Sequence, residues 1–73
     1  MNVSILRNGA RDITVGCNCA YLVNSENILA MKFENDDLAR DTELLLKHQN
    51  IKTKHNNSEI SVLNISEYEL RFT

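Results

Sequence analysis

The sequence predicts a small α+β domain in which one helix packs on one face of an antiparallel sheet, with elements in the order β-β-β-α-β-β. Apolar residues alternate with polar ones through most of the first half of the chain. A stretch of helical period follows, and two short alternating segments flanking an Asn-Asn pair come after it. Because 73 residues are enough for one core and no more, residues 1–73 are interpreted as a single domain.

The first two strands are predicted to form a hairpin around an Asn-Gly dipeptide, a common signal for a tight turn. A three-residue loop over residues 8–10 pairs Ile5 with Ile13. The same register pairs Val3 with Val15, whereas a two-residue loop sets Ile5 opposite an aspartate. Since only the three-residue loop puts apolar side chains on one face, we predict a bulged hairpin of that length.

The second strand contains both cysteines of the chain, and its apolar residues fall on every second position: Ile13, Val15, Cys17, Cys19 and Tyr21. Five apolar residues at period two predict one buried face. We therefore expect Cys17 and Cys19 to be small core residues, as free cysteines commonly are. A zinc site completed by His48 or His55 is disfavoured, because C-x-C on one strand face does not match the usual C-x₂₋₄-C spacing.

A polar turn at residues 24–27 leads to the third strand of the predicted meander. On this strand Leu29, Met31 and Phe33 share one face. A connection of five residues pairs Tyr21 with Met31, and one of three residues keeps the same face with shifted partners. The sequence leaves both lengths open.

The helix is predicted to have Asn35 or Asp36 as its N-terminal cap and Asn50 as its C-terminal cap. Its apolar stripe is Leu38, Thr42, Leu45, Leu46 and Gln49, with Ala39 beside it. Such a short helix is marginal alone, so we expect it to pack on the sheet.

The C-terminal hairpin is predicted to turn at Asn56-Asn57, which pairs Thr53 with Ile60. The last residues, 66–73, alternate as a strand through Tyr68, Leu70 and Phe72, but they also begin with a capping-box pattern. We favour a strand, because too few residues remain for a helix.

Composition excludes several classes of protein. The net charge of −2 argues against a strongly basic nucleic-acid binder, and no apolar run is long enough to span a membrane. The N-terminal segment lacks the apolar core of a signal peptide, so a reducing, cytoplasmic location is expected. There is no glycine-rich phosphate loop and no recognisable pair of catalytic acids. We expect no cofactor, no metal and no enzymatic activity.

Charge is distributed unevenly along the chain. Residues 34–43 contain five acids and one base, whereas residues 47–55 contain three lysines, two histidines and no acid. The helix macrodipole accounts for part of this asymmetry, and lysines that guard a sheet edge account for another part. The candidate partner-binding residues are Lys47, Lys52, Lys54 and His55.

Two functional hypotheses follow from these features. The first is a small interaction protein that binds a protein partner; its size, its ten asparagines and its lack of proline suggest a regulator or inhibitor from a phage or other mobile element. The second is a nucleic-acid-binding module that uses the same lysines together with Arg71.

Self-association is also expected, because small chains often complete a thin core through a symmetric interface. The candidate dimer edges are the first strand, residues 2–6, and the C-terminal strand, residues 68–72. Because the first strand has no charge before Arg7, we favour an interface through it or through the apolar sheet face next to it. Val3 and Ile5 are the candidate interface residues.

Overall fold

Residues 1–7 and 12–73 are described by the computed structural model, in which seven strands form two antiparallel sheets beside one helix. The strands are β1 Asn2–Leu6, β2 Ile13–Gly16, β3 Cys19–Val23, β4 Ile28–Lys32, β5 Thr53–Asn56, β6 Glu59–Val62 and β7 Glu69–Phe72, and the helix is α1 Asp36–His48. The smaller sheet has the order β2-β1-β7 and the larger one β3-β4-β6-β5. The α+β class is confirmed, but the single meander with a separate hairpin is replaced by two sheets.

The register of the first hairpin agrees with the sequence analysis. Ile5 lies opposite Ile13, and Val3 lies opposite Val15. All four side chains are buried, as their shared face requires. The predicted loop at residues 8–10 lies outside the described residues.

The long second strand predicted from the sequence is instead two strands in different sheets. β2 ends at Gly16, and β3 begins at Cys19 beside β4. At the corner between them, the Asn18 amide donates to the Lys32 carbonyl at 2.8 Å. The alternation changes phase here, so Val15 points into the core whereas Tyr21 points outward and is 44% exposed. The prediction of one continuous buried face was wrong.

The connection between β3 and β4 has four residues, so neither length considered from the sequence is correct. Val23 pairs with Ile28, and Ala20 rather than Tyr21 pairs with Met31. The left-handed conformation of Asn27, with φ of 58°, closes this turn. The shared buried face of β4 is confirmed, because Leu29, Met31 and Phe33 are all buried.

Both ends of α1 are capped as predicted. The Asn35 side-chain oxygen accepts a hydrogen bond from the Leu38 amide at 2.9 Å. At the other end, the Asn50 amide donates to the Lys47 carbonyl oxygen and the Ile51 amide donates to the Leu46 carbonyl oxygen, each at 3.0 Å. With Asn50 left-handed, these two bonds form a Schellman motif, which turns the chain back toward the sheet.

The side of α1 that packs on the sheet differs from the predicted stripe. Ala39 and Leu46 are fully buried against the core, whereas Leu38 and Leu45 remain 46% and 45% exposed. The helix packs on β5 and β6, and the smaller sheet packs against the rest of the core. The packed stripe is therefore rotated away from Leu38 and Leu45.

The C-terminal hairpin turns one residue later than predicted, at Asn57-Ser58. Thr53 consequently pairs with Val62, and His55 pairs with Ile60. The register is shifted by two residues, which leaves Thr53, Ile60 and Val62 on the predicted common face. Left-handed Asn57, with φ of 56°, fixes the new position of the turn.

The last segment contains both alternatives considered from the sequence, since a short 3-10 turn at Ile65–Glu67 precedes β7. β7 pairs with β1, setting Leu70 opposite Ile5. Arg7 adds a further link, because its guanidinium donates to the Gln49 carbonyl at 2.7 Å and lies 6.0 Å from the centre of the Tyr68 ring. This contact joins the smaller sheet to the C-terminal end of α1.

One apolar core lies between the two sheets and the helix. It comprises Val3, Ile5, Ile13, Val15, Leu29, Met31, Phe33, Ala39, Leu46, Ile51, Ile60 and Val62. The asparagines have a structural role around it: in the described part of the chain, the non-glycine residues with positive φ are Asn27, Asn50, Asn57 and Asn64. Asparagine tolerates this conformation better than most residues, so the high asparagine content is partly explained by turn geometry.

Candidate functional site

A basic cleft lies where α1 ends and the chain enters β5. We use this name for a surface cavity of about 530 Å³ lined by Lys47, Asn50, Ile51, Lys52, Thr53 and Leu63. Lys47 comes from the last turn of α1, and the Schellman turn brings Lys52 back beside it. Ile51 is buried beneath, and the Leu63 amide donates to the Lys52 carbonyl at 3.0 Å. Lys47 and Lys52 thus line the same cavity as the apolar residues Ile51 and Leu63.

Lys54 lies apart from this cleft, on the outer face of the larger sheet. It is opposite Ser61 and lines a second groove of about 540 Å³ together with Glu26 and Glu59. Leu63 borders both cavities. The structure therefore brings Lys47 and Lys52 together, and it places Lys54 in a neighbouring groove of mixed charge.

His55 faces α1 instead of the cleft. Its Nδ1 lies 3.4 Å from Glu43 Oε1, and its Nε2 lies 2.5 Å from the Asn57 carbonyl oxygen. Both side chains of the His55–Glu43 pair are 22% exposed. His55 thus joins the C-terminal hairpin to the helix, and its side chain is occupied by contacts within the fold.

The first strand is not a free sheet edge, so that prediction was wrong. β1 lies between β2 and β7, and it pairs with both along its length. Val3 and Ile5 are 0% and 1% exposed. This removes the geometric basis for a dimer interface at Val3 and Ile5.

The cysteines are also placed differently from the sequence-based expectation. Cys17 is half-buried beside the core, whereas Cys19 is exposed on β3. Burial raises the pKa of the Cys17 thiol, which lowers its thiolate fraction at neutral pH. Within residues 1–7 and 12–73, no group of three or more His, Cys, Asp or Glu side chains is arranged to hold a metal ion.

A polar network covers part of the outer face of the larger sheet. The Tyr21 hydroxyl donates to Glu59 Oε1 at 3.1 Å, and Lys32 Nζ lies 5.8 Å from the centre of the Tyr21 ring. The hydrogen bond to Glu59, together with the negative charge of that carboxylate, raises the pKa of Tyr21. The network spans β3, β4 and β6, so it fixes the orientation of these side chains across the sheet.

Exposed apolar side chains are concentrated on α1 and β3. Leu44 is 52% exposed, Leu38 46% and Leu45 45%, and on β3 Tyr21 and Leu22 are each 44% exposed. The sequence contained a signal for the helical set, since residues 44–46 are three consecutive leucines that cannot all face one side of a helix. Grouped exposed leucines of this kind are typical of interaction surfaces.

In the part of the chain that the structure describes, the helix is too short and too polar to cross a membrane. Comparison with protein-family models, with curated proteins and with solved structures gives no match to this chain. The basic cleft, the leucines of α1 and the β3 edge are therefore judged on their geometry and chemistry alone.

Proposed function

We propose that this chain is a small interaction protein that binds a protein partner through the basic cleft and acts as its regulator or inhibitor. The observation that carries the proposal is the convergence of Lys47 and Lys52 around the apolar floor made by Ile51 and Leu63. Pockets that combine an apolar anchor site with a few charged groups are suited to specific recognition.

A binding role is favoured over catalysis by the state of the titratable side chains that the fold brings together. His55 is held between Glu43 and the Asn57 carbonyl, and Tyr21 is hydrogen-bonded to Glu59. Each group is engaged in a contact that joins secondary-structure elements. These contacts support structural roles for the groups that would otherwise be candidates for proton transfer.

The chemistry of the cleft indicates the kind of protein segment that it fits. Lys47 and Lys52 complement carboxylates, while Ile51 and Leu63 accommodate an aliphatic or aromatic side chain. The partner surface is therefore an acidic segment that carries an apolar anchor. The absence of acids from residues 47–58 favours the same partner, because no carboxylate of this segment repels an acidic one.

The nucleic-acid alternative rests on the same lysines but has weaker support. Stacking of single-stranded bases requires aromatic side chains beside the basic groups, and the cleft is lined by Lys, Asn, Ile, Thr and Leu. Lys54, the third lysine of the segment, shares its groove with Glu26 and Glu59. Carboxylates in that groove would repel a phosphate backbone.

The experiment compares capture of host proteins by the tagged wild-type chain and by two variants of equal charge change. Lys47→Glu/Lys52→Glu alters the cleft, whereas Arg40→Glu/Arg71→Glu alters two side chains that are each 64% exposed elsewhere. A partner captured by the wild type and by the arginine variant, but lost with the lysine variant, supports the cleft. Equal capture by all three refutes it.

A parallel titration with random DNA and RNA at two salt concentrations tests the alternative. Salt-dependent binding that is lost in the lysine variant, without any captured protein, would replace the proposed protein partner by nucleic acid.

We infer in addition that the chain forms a homodimer at micromolar concentration. Support comes from its size and from its exposed leucines, because a chain of 73 residues buries a smaller fraction of its surface than larger domains do. A symmetric interface is the commonest way to cover such apolar surface. Sedimentation equilibrium tests this inference, and the mass of a single chain throughout the micromolar range would contradict it.

A further inference from the structure

The outer surface of α1 contains a compact group of four residues, which we call the leucine diamond: Asp41, Leu44, Leu45 and His48. Asp41 and His48 each lie three or four positions from both leucines, so each is a neighbour of Leu44 and Leu45 on the helix surface. Leu44 and Leu45 point about 100° apart and flank the line that joins Asp41 to His48. All four side chains are exposed, and Leu44 and Leu45 are 52% and 45% exposed.

The leucine diamond lies away from the side of α1 that the fold uses. Ala39 and Leu46 define the packed side. At 100° per residue, Leu44 lies about 150° around the helix from the middle of that side. Leu44 therefore contributes little to the core, and its side chain is available for a contact with another molecule.

We propose that the leucine diamond docks against the same surface of a second copy of this chain, with the two α1 helices antiparallel about a two-fold axis. This proposal rests on the homodimer inferred above and assigns its interface. An axis between Leu44 and Leu45 brings the two leucines of each copy against the two leucines of the other. The same operation sets Asp41 of each copy against His48 of the other.

Charge complementarity favours a second copy in this orientation. In this arrangement Asp41, in the middle of α1, lies beside His48 in the last turn of the other helix. Antiparallel packing also opposes the two helix macrodipoles favourably. Parallel packing would instead set Asp41 against Asp41. The surface is thus complementary to itself only in the antiparallel arrangement, as an isologous interface requires.

The size of the surface predicts a weak dimer. A helix of 13 residues is about 20 Å long. A contact made by four side chains from each copy is smaller than the standard specific interface of about 1,600 Å². Association in the micromolar range is therefore expected.

The first experiment is sedimentation equilibrium on the full chain and two variants. Leu44→Asp places a carboxylate in the centre of the proposed interface, whereas Leu22→Asp makes the same change on the exposed edge strand β3, where the leucine is 44% exposed. We expect Leu44→Asp to weaken association at least about tenfold, as loss of a central anchor does. Leu22→Asp is expected to dimerise like the wild type. Circular dichroism melts confirm that both variants are folded.

The second experiment tests the register through charge exchange. Asp41→Lys removes the carboxylate that faces the His48 imidazole of the second copy, and His48→Glu opposes a negative charge to Asp41. Each single variant is expected to associate more weakly than the wild type, and the double variant is expected to recover association. Positions 41 and 48 are about 10 Å apart along one helix, too far for a direct ion pair, so recovery reports the contact between copies.

The outcomes separate the interface from self-association itself. A wild-type chain that stays monomeric refutes both the homodimer and the interface. Dimerisation that persists in Leu44→Asp refutes the leucine diamond and leaves the homodimer standing. Loss of dimerisation in Leu22→Asp alone would place the interface at the β3 edge and overturn the proposal. Failure of the double charge exchange to restore association would refute the antiparallel register.

Discussion

Leu46 is the side chain through which α1 is anchored to the sheets, and its replacement gives a direct test of how the helix packs. Leu46 is 0% exposed, and its neighbours in the chain, Leu44 and Leu45, are 52% and 45% exposed. The three consecutive leucines thus comprise one fully buried side chain and two that are about half exposed. Substituting each by alanine compares them without introducing charge or disturbing the backbone.

The expected effects differ severalfold. Removing a fully buried leucine costs the transfer free energy of the lost atoms and leaves a cavity, so Leu46→Ala should lower the free energy of unfolding by about 3 kcal/mol. Leu45→Ala should cost less than about 1 kcal/mol, because nearly half of the side chain is already in contact with water. Leu44→Ala should change stability by no more than about 0.5 kcal/mol, since alanine has the higher helix propensity.

Urea unfolding followed by circular dichroism measures these differences. A chain of 73 residues is expected to have a total stability of about 4–11 kcal/mol. Loss of about 3 kcal/mol would therefore move the midpoint by roughly 3 M for a slope near 1 kcal/mol/M. Measurements at two protein concentrations separate this effect from dimer dissociation. If Leu45→Ala destabilised the chain as much as Leu46→Ala, the packed side of α1 would be the stripe predicted from sequence and the observed rotation would be wrong.

Two further predictions concern ionisable groups. At neutral pH the thiol of Cys19 should react with a thiol reagent at least about tenfold faster than that of Cys17, because Cys19 is exposed whereas burial raises the pKa of Cys17. Labelling of the two single Cys→Ser variants measures both rates, and equal rates would contradict the placement of the corner. Tyr21 should ionise above the ordinary tyrosine range in an absorbance titration of a Tyr68→Phe variant, and Glu59→Ala should lower its pKa. Because the folded-state pKa is raised, the stabilisation from this contact is present below the ordinary value of about 10 and is lost as the pH rises through the folded-state value. A Tyr21 titration that does not respond to Glu59→Ala would refute the hydrogen bond as its cause.

Elements that depend on neighbouring residues in the chain were predictable from the sequence. The register that pairs Ile5 with Ile13 follows from matching apolar faces across one loop, and the structure has that register. The caps at Asn35 and Asn50 follow from local hydrogen bonding and left-handed tolerance. In each case the decisive interaction joins residues that are close together in the chain, so the side-chain types are enough to predict it.

The division into two sheets was not predictable, because the apolar alternation continues through the corner. Cys17 and Cys19 keep the period of Ile13 and Val15, although Cys17 is only partly buried against the core and Cys19 is exposed. What decides the fold here is long-range pairing: β7 joins β1, and Ala20 rather than Tyr21 aligns with Met31. Such pairings depend on distant chain segments and have no local sequence signal.

The candidate site was predicted only in part, because its geometry also depends on contacts between distant segments of the chain. Charge patterning identified Lys47 and Lys52, and the Schellman turn at α1 brings them together. His55 was assigned to the same patch although strand alternation places it on the face of Thr53, opposite to Lys54. That alternation was the available signal for its internal position. The partner Glu43 lies on the helix, so their contact depends on helix packing that the sequence did not define.

The architecture also relates the two proposed surfaces to each other. Strands from both sheets supply most of the core, so α1 contributes only Ala39 and Leu46 to the buried set and its other leucines are free for association. Lys47 lies about 110° around the helix from the centre of the leucine diamond, so antiparallel pairing of α1 leaves the basic cleft of each copy accessible. A dimer then carries two clefts related by the two-fold axis, and a partner with two acidic segments would bind it more tightly than it binds a monomer, because the second contact is intramolecular.

Leu44→Asp should accordingly weaken capture of such a partner while the cleft stays intact, whereas Lys47→Glu/Lys52→Glu should abolish capture and leave the dimer unchanged. If instead the Leu44→Asp variant kept its dimer and lost capture, and the lysine variant lost its dimer, the two surfaces would not be separate.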